Sequence, residues 1–427
     1  MTRYSIGYVL TLLVMVTPKL AFAESALDKG DTAWLLVSTA LVLFMTLPGL
    51  ALFYGGLVRK ENVLSILIQC FVIACVASVV WFIYGYSLAF KGDGAWIGNF
   101  DALFLSHLTR ESLYNNIPET VWIMFQMTFA IITPALVIGA FAERIKFASV
   151  ILFTVLWLTL VYIPVAHWVW GGGWLAKLGT LDYAGGLVVH LTCGIGALVS
   201  AIMIGNRKNF PQTPPPHNRT MVFTGAAMLW VGWFGFNAGS AVSANQDAGM
   251  AMLVTHLSAS VGALTWLAID WFRSGKPTII GIATGMVAGL ATITPASGYV
   301  GPAGSILIGL FAGFVCYFAT DLIKNKWRLD DSLDVFPVHG IGGVLGSILV
   351  GWLISPEWGG IGLNENQTMM SQVWVQLQAV GAIFLWTLVF TFIVLKIMSV
   401  TTGLRIEAEG ERQGLDVATH NESGYLL

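Results

Sequence analysis

The sequence predicts an all-α membrane protein of eleven transmembrane helices, built as an inverted repeat of five plus five with one extra C-terminal helix. Three observations predict this fold. Of the 427 residues, 56% are hydrophobic and only 10% are charged, whereas soluble proteins carry roughly 25% charged residues. Long apolar runs alternate with short polar breaks. Two histidine-containing segments, five apolar runs apart, are alike.

The first residues predict a secretory signal peptide, residues 1–23, that is cleaved. A positive charge precedes an apolar core at 6–16, and a small-x-small site ends at Ala23, the arrangement that signal peptides share. The alternative is an uncleaved membrane helix. Pro18 interrupts the apolar stretch before it reaches the ~20 residues that a span needs.

A transmembrane domain is predicted for residues 24–398. Backbone polar groups cannot stay unpaired in lipid, and runs of this length exclude barrel strands, so each run predicts a helix. The predicted spans are 34–57, 66–90, 121–141, 148–168, 184–204, 221–239, 250–269, 279–296, 306–320, 335–353 and 373–395.

The positions of lysine and arginine predict the orientation. Alternate loops carry twelve such residues on one side of the membrane and four on the other. Because positive charge marks the cytoplasmic side, we expect a periplasmic N-terminus and a cytoplasmic C-terminal tail, residues 399–427.

An internal repeat connects the two histidine segments. His190 is followed by small residues four and seven positions later, and so is His339, a spacing that lets helices approach closely. The histidines lie on the fifth and tenth predicted spans. Since a unit of five spans is odd, the second unit is inverted, and inverted repeats place their functional groups near the bilayer midplane. A chance similarity of glycine-rich helices is the alternative.

Charge and cysteine content restrict the function. A net charge of −2 gives no indication of nucleic-acid binding. All four cysteines lie in apolar runs, without the spacing of a disulfide framework, zinc site or haem attachment motif. The cysteines are thus expected to be buried apolar residues. We expect no metal and no cofactor, and we expect that the protein is not an enzyme.

Histidines within membrane spans are rare and usually functional. In a contacting pair, one imidazole nitrogen can donate a proton that the other accepts. His190 and His339 are thus the main functional candidates, whereas His167 and His256 have no matching partner.

Five further stretches complete the sequence pattern: LVLFMTLPGLALFYGG (41–56), WGGG (170–173), LDYAGG (181–186), WFGFNAGS (233–240) and DVFPVHG (334–340). Together with the histidines, they resemble the ammonium transporter (Amt/Mep/Rh) family, most closely its bacterial Amt ammonia channels, from about Asp31 to the C-terminus. The resemblance implies transport of ammonium or ammonia, with methylammonium as an analogue, by a homotrimer in the bacterial inner membrane.

The resemblance also implies the site residues. Trp170, Phe125, Phe129 and Ser240 resemble a periplasmic recruitment site, and Phe129 and Phe236 resemble a stacked gate. An interfacial aromatic belt is the alternative for these aromatic residues. The residues that resemble pore-lining positions are His190, His339, Phe53, Tyr54, Trp233, Thr294 and Val335.

Asp182 precedes the fifth span and also belongs to the implied recruitment site. It is expected to cap the helix or to supply a negative field, rather than to bind the cation directly. Asp334 is expected to cap the tenth span.

The tail GLDVATHNESGY (414–425) resembles the family's regulatory C-terminus, which a PII signal protein uses. The family has glycine where this chain has Asn421, so the turn, and with it regulation by PII, are open questions.

Three alternatives stay open. The first is electrogenic ammonium uptake, with the proton crossing along the histidines. The second is ammonium sensing, although sensors of this family carry a fused signalling domain and the tail here is short. The third is a membrane oxidoreductase with haem bound between the histidines.

Overall fold

The computed structural model describes residues 27–212 and 214–425, so the expected signal peptide lies outside the described residues. Eleven helices follow in chain order: α1 (Lys29–Leu57), α2 (Lys60–Phe90), α3 (Glu119–Phe141), α4 (Phe147–Leu178), α5 (Gly186–Ile204), α6 (Arg219–Ala241), α7 (Gln246–Ser274), α8 (Ile279–Ile293), α9 (Pro302–Lys326), α10 (Phe336–Leu353) and α11 (Met369–Val400). Two short tail helices follow, α12 (Ala408–Gln413) and α13 (Leu415–His420).

Ten of the described helices are long and apolar enough to cross a bilayer, and α8 is a shorter eleventh. The prediction of a helical membrane protein with ten or eleven spans is therefore confirmed, with helix ends that mostly reach beyond the predicted apolar runs. Helix α4 differs most from its predicted span, because its helical backbone is interrupted from Trp170 and resumes as the short turn Trp174–Leu178. Helix α8 ends at Ile293, earlier than predicted and two residues before Pro295, which has no backbone N–H to continue the helix.

Helices α5 and α10 share an uncommon local structure. Each begins with a π-helical segment, Gly186–Leu191 in α5 and Phe336–Gly340 in α10, and continues as a regular α-helix. Each segment contains one of the two candidate histidines. Such π-helical turns are often found at functional sites.

The two helices cross backbone to backbone beside the histidines. A Cβ atom on Gly194 would lie 2.2 Å from the Cα of Gly340, and one on Gly343 would lie 3.1 Å from the backbone nitrogen of Leu191. Gly194 lies four residues after His190 and contacts Gly340, the residue that follows His339. Gly343 lies four residues after His339 and contacts Leu191, the residue that follows His190. The crossing is thus reciprocal, as a local two-fold relation between the helices requires.

The loop between α2 and α3 folds over one face of the helix bundle. It contains an antiparallel pair of two-residue strands, β1 (Leu113–Tyr114) and β2 (Ile117–Pro118). The buried Glu119 anchors the loop, because its Oε1 lies 2.7 Å from Lys91 Nζ and 3.0 Å from His107 Nε2.

The C-terminal tail lies on the opposite face, which we call the tail face. Asp416 accepts hydrogen bonds from the Leu64 and Ser65 amides near the start of α2, and the Leu415 amide donates to Asn62. Asn421 ends α13 in the left-handed conformation, with φ 54°. Asparagine tolerates this conformation almost as glycine does, so the glycine-like turn is retained.

Candidate functional site

The two candidate histidines contact each other inside the bundle. The Nδ1 atoms of His190 and His339 lie 3.2 Å apart, and both side chains are buried. The His190 ring also stacks on Trp233 and Phe236, with centroid distances of 5.5 and 5.9 Å. At the Nδ1–Nδ1 contact, one imidazole donates a hydrogen and the other accepts it.

A very small cavity adjoins this pair. It has a volume of about 10 Å³ and is lined by His190, His339, Phe53, Tyr54 and Trp233 together with other apolar side chains. This volume corresponds to roughly one water-sized molecule. We call it the histidine cavity.

Two of the candidate pore residues lie beside this cavity rather than on its wall. The Trp233 indole donates to the Thr294 hydroxyl at 2.9 Å, so Thr294 positions the indole from behind. Val335 is buried. Its side chain and that of Tyr54 both pack against Gly139.

A pair of phenylalanines separates the histidine cavity from the face opposite the tail. The rings of Phe129 and Phe236 lie 4.4 Å apart at an interplanar angle of 36°. Phe129 also meets Phe125 and Trp170 edge to face, at 5.0 and 5.8 Å. Phe125 and Phe129 share one face of α3 because they are four residues apart.

Beyond the phenylalanine pair lies a cavity of about 250 Å³, which we call the Trp170 cavity. The structure brings Phe125, Phe129, Trp170 and Ser240 together in its wall. The Ser240 hydroxyl donates to the Phe236 carbonyl oxygen at 2.8 Å, so the lone pairs of its oxygen are free to accept.

The sequence did not single out other members of this wall, among them Gln126 and Tyr183. Among the described residues, the buried Oε1 of Gln126 and the hydroxyl of Tyr183 have no hydrogen-bond partner. An amide side chain inside an apolar span was the available signal for Gln126. Tyr183 lies in a loop and offers no comparable signal.

Asp182 caps helix α5. Its two carboxylate oxygens accept four backbone hydrogen bonds of 2.6–3.0 Å, from the amides of residues 185, 186, 187 and 188. Burial raises its pKa to about 6, although these four donors act in the opposite direction. The Trp170 indole donates to the Asp182 carbonyl oxygen at 2.9 Å. The geometry therefore assigns Asp182 to capping and to positioning Trp170, and its carboxylate is absent from the wall of the Trp170 cavity.

A third cavity, of about 230 Å³, opens on the other side of the histidine pair, and we call it the tail-face cavity. Its wall includes His339, Tyr54, Phe53, Lys324 and Asp334. His339, Tyr54 and Phe53 thus belong to the walls of both this cavity and the histidine cavity.

The expected cap of α10 at Asp334 is wrong. Asp331 takes that role, accepting from the Phe336 amide at 2.7 Å. Asp334 has a left-handed backbone, φ 61°, and its side chain pairs with Lys324 at 2.7 Å. Burial raises the pKa of Asp331 to about 7, and the Asp334 carboxylate adds to the rise.

The fold and this site define a multi-pass helical membrane protein with cavities in line on either side of a buried imidazole pair. The sequence matches the Ammonium Transporter Family over residues 33–425. The chain belongs to this family, and ammonium transport is the function that the match supports.

Known proteins with similar sequences agree. A putative ammonium transporter of Methanothermobacter thermautotrophicus is 47% identical over 94% of this chain and 99% of its own length. An ammonium transporter of Bacillus subtilis is 42% identical over 93% of this chain and 99% of its own.

Solved structures are similar over most of the fold. The crystal structure of Saccharomyces cerevisiae Mep2 has a TM-score of 0.81 at 38% identity, covering 90% of this chain and 91% of its own. A sensor Amt protein has a TM-score of 0.86 at 29% identity, covering 91% and 98%.

Proposed function

We propose that the chain conducts nitrogen as neutral ammonia, after ammonium is recruited and deprotonated at the Trp170 cavity. Moving an ion into a low-dielectric interior costs on the order of 20 kcal/mol in the idealised case. Removing a proton at a wet mouth avoids that cost. The transport of ammonia then needs a cation-attracting entrance, a barrier to hydrated ions and a lining able to exchange hydrogen bonds.

The Trp170 cavity supplies the entrance. Aromatic faces attract a cation by up to ~2 kcal/mol when it is desolvated, and Trp170, Phe125 and Phe129 present such faces. Ammonium also needs hydrogen-bond acceptors. The Ser240 oxygen suits this role because its own hydrogen is donated to Phe236.

The observation that carries the proposal is the 3.2 Å contact between His190 and His339. The contact adjoins a cavity with room for one small molecule, between two cavities of about 250 and 230 Å³. Phe129 and Phe236 form the gate that hydrated ions cannot pass. Ammonia can exchange hydrogen bonds with the imidazoles, whereas an otherwise apolar wall offers none.

We infer the membrane setting from the charge distribution and from the family. The Trp170 cavity is placed on the periplasmic face of a bacterial inner membrane, and the tail face on the cytoplasmic side. Each subunit of a homotrimer would carry its own pore. Residues 399–427 would form a regulatory tail for a PII signal protein, and the left-handed Asn421 supports a family-like docking geometry there.

Uptake of labelled methylammonium tests the proposal. Cells expressing the chain are compared with cells expressing His190→Ala and Asp182→Ala, and with the control Asp93→Ala, which alters an exposed carboxylate. We expect uptake by the wild type and the control, and loss of uptake in the other two. Equal uptake with and without the protein would contradict transport.

Electrogenic uptake is a second candidate, because two imidazoles in contact also suit proton transfer. Proteoliposomes under an ammonium gradient distinguish the two mechanisms. A steady current shows that charge crosses, and ammonia flux without current supports the neutral mechanism.

Sensing is supported by the similarity to a sensor Amt protein. Tight methylammonium binding without measurable flux would favour it. Haem binding is disfavoured by geometry, because a macrocycle between axial ligands cannot fit between ring nitrogens 3.2 Å apart, beside a cavity of about 10 Å³. We therefore infer a transporter rather than an enzyme.

A further inference from the structure

A thiol lies beside the imidazole pair. Cys193 is buried, and its Sγ and one ring nitrogen from each of His190 and His339 all lie within 4.8 Å of one another. His190 and Cys193 are three residues apart on α5, a spacing that places side chains next to each other. Within the described ranges, this is the one cluster of three or more histidine, cysteine or carboxylate side chains with such spacing.

The separation of the two imidazoles suits a metal ion. Metal–nitrogen bonds of about 2.0–2.1 Å, the length found for zinc, would span the 3.2 Å between the Nδ1 atoms at an angle of roughly 100–105° at the ion, which is close to tetrahedral. The helices therefore need not move apart or together to chelate it.

The thiol can complete the set. The Cys193 Sγ donates only a weak hydrogen bond to the His190 carbonyl oxygen, at 3.4 Å, and it lies within 4.8 Å of a ring nitrogen of each imidazole. Within the part of the chain that the structure describes, the His190 Nε2 has no hydrogen-bond partner. This nitrogen can therefore carry the ring hydrogen when Nδ1 binds an ion. The interactions given up are the Nδ1–Nδ1 hydrogen bond and the weak thiol hydrogen bond.

The charge of the site selects the ion. A net charge in a buried, dry location costs several kcal/mol, and a thiol loses its proton when it binds a metal. One thiolate neutralises a monovalent cation but leaves a divalent cation with a residual positive charge. Thiolate is a soft ligand of the kind that selects Cu(I), and imidazole also suits copper.

We propose that His190, Cys193 and His339 form a binding site for a soft monovalent cation, Cu(I) or Ag(I), that plugs the pore. On binding, two metal–nitrogen bonds and one metal–sulfur bond form. The S–H bond breaks and its proton leaves to water, and the hydrogen of the donating Nδ1 is replaced by one on Nε2 of the same ring, so that both Nδ1 lone pairs face the ion. No electron is transferred. The ion enters from the tail-face cavity, since His339 lies in its wall. Binding stands on geometry alone, whereas blockage rests on the proposed transport function.

Silver ion is the probe, because it is monovalent and is not oxidised or reduced in buffer. The purified chain is loaded with Ag(I) and desalted, and bound silver is measured by mass spectrometry. We expect one tightly held ion per chain, and at least tenfold less occupancy in Cys193→Ser, Cys193→Ala and His339→Ala. The matched control is Cys75→Ser, which alters an exposed cysteine and leaves this ion in place.

The second measurement is methylammonium uptake in inside-out vesicles, which expose the tail face, with and without Ag(I). We expect silver to abolish uptake in the wild type and in Cys75→Ser, and to change it less than twofold in Cys193→Ser. Equal silver retention in the wild type and Cys193→Ser would overturn the site. Retention at Cys193 with undiminished uptake would overturn the plug. Absence of uptake in every sample would count against the transport proposal alone, because silver retention needs no flux.

Discussion

Gly194 lies against Gly340 so closely that a Cβ on Gly194 would come within 2.2 Å of the Gly340 Cα. This contact holds α5 and α10 at the separation at which the two imidazoles meet. The interaction of the histidines thus depends on two residues that have no side chain.

Substituting Gly194 by alanine should therefore separate the two helices. Overpacking of this kind costs about 1–3 kcal/mol, and it should also abolish methylammonium uptake. The measurement is thermal unfolding in detergent, together with uptake. Gly381→Ala is the control, because a Cβ there meets nothing within 4 Å. Equal behaviour of the two variants would contradict the tight crossing.

Asp182→Ala should lower stability by about 2 kcal/mol, since it leaves the four buried amides of residues 185–188, at the start of α5, without acceptors. The Trp170 indole, held by the Asp182 carbonyl, should become more mobile. Thermal unfolding and indole fluorescence report the two effects. Asp93→Ala should change neither. A stable Asp182→Ala protein that has lost uptake would instead indicate that the negative charge matters more than the cap.

Asp331 should give the protein a pH-dependent stability. Its folded-state pKa of about 7 is above the ordinary value of 3.8, so the folded protein holds this proton more tightly than the unfolded chain does. The resulting stabilisation is full below pH 3.8 and is lost as the pH rises through about 7. Asp331→Asn retains an acceptor for the Phe336 amide and should remove that part of the slope.

The measurement is the unfolding midpoint between about pH 5 and 8, the range in which a group with this pKa titrates. Asp93→Asn, at an exposed site, should keep the wild-type slope. Identical slopes in Asp331→Asn and the wild type would show that Asp331 is ionised throughout this range.

Asn421 should be replaceable by glycine but not by valine. A residue with a branched side chain costs roughly 1–2 kcal/mol in the left-handed conformation, which corresponds to a roughly five- to thirtyfold change in the docking equilibrium of the tail. We expect faster proteolysis of the tail in Asn421→Val and a wild-type rate in Asn421→Gly. Unchanged proteolysis in both would mean that the turn does not control docking.

The sequence was sufficient for the helical spans because hydropathy is a local property. The histidine pair could be predicted because the two copies of the pattern are similar and the family resemblance is specific. The cap of α10 could not be predicted, since the left-handed backbone at Asp334 turns its carboxylate to Lys324 and leaves Asp331 to bind the amide.

Cys193 shows a different limit. The residue is one of several cysteines in apolar runs, and its spacing to His190 alone gives no metal-binding motif. The third member of the cluster, His339, lies on another helix, 146 residues after Cys193 in the sequence. The role of Thr294 was equally hidden, because it acts through the Trp233 indole.

The π-helical segments around the histidines have a consequence for changes in chain length. Removing one residue between positions 186 and 191 would convert the π-helical segment, which holds about one residue more per turn than an α-helix, into an ordinary helical turn. The side chains within the segment would then change direction. The imidazole, the capped start of α5 and the glycine crossing could then no longer all keep their present directions. Insertions or deletions in the mostly exposed stretch 208–212 lie outside these segments. Length variation should therefore be tolerated there and excluded from 186–191 and 336–340.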